Sequence, residues 1–109
     1  MSSPRPADPA RHELPEIDAA ALTAARAADA TLAAAREMGL DRWVRYLALI
    51  PDRLRDDPIQ GLRGAARLVR AAFGPKDSIR DSLSEAVTEP LLKAVDLLLK
   101  AIARYEAHR

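Results

Sequence analysis

From Leu83 to Tyr105, large apolar residues recur in steps of three and four: Leu83, Val87, Leu91, Val95, Leu98, Ile102 and Tyr105. That is the spacing of one helix face, and it runs through Pro90 without losing phase. A loop at Pro90 would shift the register. The pattern therefore predicts one long C-terminal helix, capped by Asp77 or Ser78 and kinked near Pro90, whose ring crowds the carbonyl one turn back. In the second half of the segment the only polar strip is Lys93, Asp96, Lys100 and Arg104. A helix apolar around most of its circumference is surrounded by other elements. About 31 residues at 1.5 Å each span roughly 46 Å, whereas a compact chain of this size is roughly 34 Å across. The expectation is a rod that outruns its own domain and is covered by a second copy. The chain then forms a homodimer about a two-fold axis, with Leu92, Val95, Leu99 and Ile102 as interface anchors. A monomeric bundle with this helix at its centre is the competing reading.

The elements around that helix are expected to be helical too. Of 109 residues, 23 are alanine and only Trp43, Tyr46, Phe73 and Tyr105 are aromatic. Alanine is the best helix former, and strand formers are scarce. The fold class read from the sequence is all-α: a four-helix, bundle-like domain over residues 16–109, preceded by a flexible, disordered tail over residues 1–15. The tail carries Pro4, Pro6, Pro9 and Pro15 and little to bury. Both a functional arm and a gene-start remnant fit its composition.

The first helix is expected from Pro15 to Met38, stopped by Gly39. Ile17, Ala20, Ala21, Ala24, Ala28, Thr31, Leu32, Ala35 and Met38 share one face. A stripe this small lets another helix axis come close. Asp41 opens a second helix with Trp43, Leu47 and Ile50 inward, which Pro51 is expected to end. The stretch Asp52–Asp57 reads as a connector of about one turn with Leu54 inward. A third helix runs from Pro58 to Phe73. Gly61 and Gly64 inside it imply either close approach of a neighbour, such as the alanine face of the first helix, or looseness at the helix start.

Several function classes are disfavoured. The chain has no cysteine, which removes disulfides, thiol catalysis and cysteine-ligated metals. His12 and His108 are far apart, and no phosphate loop, serine elbow or zinc-protease motif occurs. No cofactor, metal site or catalytic residue is therefore assigned, and a small helical enzyme is the third-ranked reading. The first sixteen residues lack the apolar core of a signal peptide, and no run approaches the ~20 apolar residues of a membrane span. A cytoplasmic protein with no membrane partner is expected.

Arg63, Arg67 and Arg70 lie at i, i+4 and i+7 on one helix face, with Lys76 beyond and no acid between Pro58 and Lys76. Planar guanidinium groups bind phosphate bidentately, so this face is a candidate for a nucleic-acid or other phosphate backbone. Its plainer readings are a solvated face, pairing with acids of another helix, for which Asp77, Asp81 and Glu85 stand nearby in sequence, or an acidic protein partner. The net charge is only +1, and no aromatic residue stands among the arginines to stack on bases. A helix-turn-helix over Ala66–Val87 also fits poorly, because its second helix opens with Asp77 and Asp81. The leading expectation is a non-catalytic helical interaction module, a small adaptor, assembly or regulatory subunit that self-associates through its last helix.

Overall fold

The computed structural model describes residues 9–108. Five α-helices follow one another: α1 (Pro15–Glu37), α2 (Asp41–Leu47), α3 (Ile50–Asp56), α4 (Ile59–Ala71) and α5 (Glu85–Ala107). Single 3-10 turns at Arg11–Glu13 and Ile79–Asp81 complete the described elements, and none of them is a strand. α1 packs against α2, α3 and α5, while α4 closes the ring between α3 and α5. Arg104 pairs with Glu16, which sets the end of α5 beside the start of α1. Arg63 with Glu106 and Arg70 with Asp96 make α4 and α5 antiparallel as well.

The alanine stripe explains why α1 and α5 form the main contact. Ala21, Ala24, Ala25, Ala28 and Ala35 have no or almost no accessible surface. On α5, which makes its main contact with α1, Leu91, Val95, Leu98 and Ile102 are fully buried. The helices come close enough for Thr31 Oγ1 of α1 to lie 3.5 Å from the Val87 carbonyl oxygen of α5. Thr31 and Thr88 are buried, and each donates its hydroxyl to the carbonyl four residues back, so neither leaves a polar group unsatisfied.

Helix ends follow local chemistry. Gly39 takes φ +64°, Leu40 N–H donates to the Ala35 carbonyl and Gly39 N–H to that of Arg36. This is a Schellman termination. Met38 lies beyond the last full turn and is 60% exposed, so it does not extend the stripe as expected. A Cβ at Gly39 meets nothing within 4 Å, so only the left-handed backbone opposes a side chain there. Gly39→Ala is expected to cost about 1 kcal/mol, measured by urea denaturation. No change in midpoint would mean the turn is not fixed.

The structure corrects several expectations. Pro51 does not end a helix. The chain breaks earlier, after Leu47, and Pro51 sits in the first turn of α3, where its fixed φ and missing N–H suit a helix start. Leu54 is buried as expected. The last helix starts at Glu85, not near Asp77. Ser78 caps the 3-10 turn instead, accepting from Arg80 N–H at 3.2 Å while Asp81 accepts from Ser78 N–H. Ile79 and Leu83 plug the end of the core there, and Ser82 accepts the Trp43 indole N–H at 3.2 Å. Helical phase alone had hidden this turn, because Leu83 points inward from either geometry.

The third correction concerns length. α5 has 23 residues, as does α1. At 1.5 Å per residue that is about 35 Å, inside the 53 Å long dimension of the molecule. The two helices lie side by side, and α5 at this length does not outrun the molecule. Of the tail expected over residues 1–15, residues 1–8 lie outside the described residues, and Ala10 N–H donates to Glu13 Oε2. Arg11 pairs with Asp18 at 2.9 Å and donates to the carbonyls of Arg55 and Asp57 where α3 meets α4.

Gly61 is explained by a side chain, not by the backbone of α1, and nothing in the structure requires glycine at position 64. A Cβ on Gly61 would stand 2.6 Å from Asp57 Oδ2 and 2.8 Å from Asp57 Cβ. Asp57 is held there by Arg53, whose Nη2 also donates to the Gly61 carbonyl. A Cβ on Gly64 meets only Arg53 Nη2, at 3.3 Å. Gly61→Ala is expected to destabilise by about 1–2 kcal/mol through overpacking. Gly64→Ala is expected to stabilise by about 0.5–1 kcal/mol. Thermal melts of the two variants moving in the same direction would contradict this.

Candidate partner-binding groove

The sequence proposed two surfaces, an apolar one on the last helix and an arginine one on the helix before it. The fold brings parts of both to the same place. α4 presents Arg63, Arg67 and Arg70 one turn apart along the seam with α5. α5 supplies the floor of that seam through Leu99, Ile102 and Ala103, with Glu106 at one end. The hollow so formed is about 590 Å³. A second hollow of about 340 Å³ shares Arg70, Leu99 and Ala103 with it and adds Asp96 and Lys100. Together they form one open groove along the α4–α5 edge.

Of the four apolar anchors expected on α5, Val95 and Ile102 are turned into the chain's own core, with 0% and 1% of their surface exposed. Neither can be offered to another molecule while the fold is intact, although the edge of Ile102 closes the groove floor. Leu92 and Leu99 are half-buried, and Leu99 is the one on the groove. Leu97, which the sequence reading did not single out, is half exposed on the far side of the helix. Lys76 is exposed in the loop after α4 and does not line the groove.

The arginines differ in what holds them. Arg63 pairs with Glu106, and Arg70 Nε stands 3.3 Å from Asp96 Oδ1. Arg67 is exposed and has no ion pair among the described residues. The counter-ions are acids of another helix, Asp96 and Glu106 of α5, and not Asp77, Asp81 or Glu85. Asp81 is used in the turn cap, and Asp77 and Glu85 are exposed. The signal was present in the sequence: Asp96, Leu99, Ala103 and Glu106 follow one another at three- and four-residue steps, hence on one face.

Trp43 lies in the core beneath Arg42, whose guanidinium carbon is 4.8 Å from the ring centroid. Tyr46 meets Trp43 edge-on at 5.5 Å and donates its hydroxyl to the Leu68 carbonyl at 2.6 Å. Burial pushes the Tyr46 phenol above its ordinary value of 10.0. The neutral form is thus favoured in the fold, and its stability is present below pH 10 and lost as pH rises through the raised value. Tyr46→Phe is expected to cost about 1 kcal/mol at neutral pH. It should also flatten the alkaline fall of stability above pH 10, read from denaturation midpoints between pH 8 and 11.

A further hollow of about 500 Å³ lies where α1 begins and α5 ends. Leu14, Ile17, Ala101 and Tyr105 line it, and Glu16 and Arg104 pair across its rim, with His108 beside them. Among the described residues no three carboxylate or imidazole groups gather as a metal site. No helix there is long and apolar enough to cross a membrane. Comparison of the chain with protein-family models, with curated proteins and with solved structures gave no match.

Proposed function

We propose that this chain is a non-catalytic helical interaction module and that the α4–α5 groove is where it receives another protein. In this reading the fold is a four-helix bundle in which α2 and α3 together serve as one member and Pro90 bends α5. The supporting observation is the groove itself: a leucine and alanine floor on α5 bordered by three arginines one turn apart on α4. An apolar strip between charged walls suits a helix laid into a groove. A phosphate backbone is the weaker reading, since two of the three arginines are already neutralised and the floor is apolar.

Self-association through the same groove is disfavoured, because in each copy its borders carry four cations and two carboxylates. Like charges so placed oppose pairing. A photo-crosslinking side chain at position 99 tests the module reading in native extract, with the same group at Ala19, on the exposed outer face of α1, as control. A discrete adduct from position 99 and none from position 19 is expected. Equal or absent adducts at both would refute the assignment.

A further inference from the structure

The groove carries its own occupants' chemistry in outline. Across the seam, Arg63 is met by Glu106 and Arg70 by Asp96, while Arg67 between them is met by nothing among the described residues. With Lys100, four cations face two carboxylates around an apolar floor. We propose, resting on the module reading above, that the partner segment is an acidic amphipathic helix and that Glu106 and Asp96 are internal competitors for it.

The geometry specifies the segment. Arg63, Arg67 and Arg70 rise about 10 Å along α4 at 1.5 Å per residue. A helix lying alongside repeats that spacing when its carboxylates stand at i, i+4 and i+7. Its leucines, on the neighbouring face, then cover Leu99 and Ala103. The central carboxylate finds Arg67 ready. The outer two must displace Asp96 and Glu106 from Arg70 and Arg63, so the free protein resists acidic ligands that lack the apolar face. Binding is thereby made to depend on both features at once. A nucleic-acid backbone meets the same two competitors and gains nothing from the leucine and alanine floor.

The consequence is counter-intuitive for a surface acid: deleting it strengthens binding. The probe is a synthetic 18-residue helical peptide with Glu at i, i+4 and i+7 beside a leucine stripe, fluorescein-labelled and titrated with the full chain at low salt. Glu106→Gln is expected to tighten binding, and Arg67→Glu to weaken it by about tenfold, equivalent to about 1.4 kcal/mol. Position 67 is exposed, and an unchanged circular-dichroism melt verifies that the variant folds. A control peptide with its leucines replaced by serine is expected not to bind, nor is a 20-nucleotide single-stranded RNA. Unchanged or weaker binding with Glu106→Gln overturns the proposal. So does equal affinity for the serine peptide, or RNA binding tighter than that of the leucine peptide. If the leucine peptide fails to bind while the position-99 adduct still forms, the acidic-helix occupant is wrong and the module reading stands. If both fail, both readings fall.

Discussion

Leu98→Ala is expected to lower stability by about 3–4 kcal/mol, within the range for deleting a fully buried leucine. Leu98 has no exposed surface and lies on the helix whose main contact is with α1. The loss has two parts: apolar atoms are no longer kept from water, and a cavity forms that stiff neighbours fill only partly. The buried alanines of α1 have no rotamers with which to fill such a cavity. The adjacent Leu97 is 52% exposed, and Leu97→Ala is expected to change stability by no more than about 0.5 kcal/mol. Urea denaturation of the pair gives the contrast. Comparable losses for both would mean that α5 is buried on its outer side as well, as in the dimer first expected from the sequence.

Ala28→Leu is expected to cost about 2–3 kcal/mol from the opposite cause, overpacking. Ala28 is fully buried, and the α1–α5 spacing brings Thr31 Oγ1 within 3.5 Å of the Val87 carbonyl. Three more carbons at position 28 force the helices apart or the side chain off its rotamer. Every contact along the stripe then suffers, so the effect exceeds that of a local clash. Ala30→Leu, on the exposed side of the same helix, is expected to move the melting temperature little. The two variants differ by one step of two residues and by nothing in composition. Their difference therefore isolates the packing from helix propensity.

The parts of the fold legible in the sequence were those written in local chemistry. Pro15 and Gly39 bracket α1, and its small stripe names the face that α5 covers. What escaped were choices made by tertiary contact. The run Asp77–Ser84 carries helical phase, yet Ser78 and Asp81 cap a 3-10 turn and Ser82 is drawn to Trp43. Pro51 is compatible with either side of a helix boundary, and the buried Ile50 and Leu54 decide for a start. The same division holds at the groove. The arginine spacing is plain in the sequence, as are Leu99 and Ile102 at helical steps. That they meet on one seam, and that Asp96 and Glu106 answer Arg70 and Arg63, depends on how α4 lies against α5.

Because the chain lacks cysteine, single thiols introduced at positions 95, 97 and 99 report directly on which face of α5 is free. The rate of maleimide labelling at micromolar concentration is the decisive measurement. Val95→Cys should react orders of magnitude slower than Leu97→Cys, with Leu99→Cys nearer the exposed reference. Fast labelling at 95, or protection of 97 and 99 in the isolated chain, would contradict a helix buried by its own fold with its groove left open.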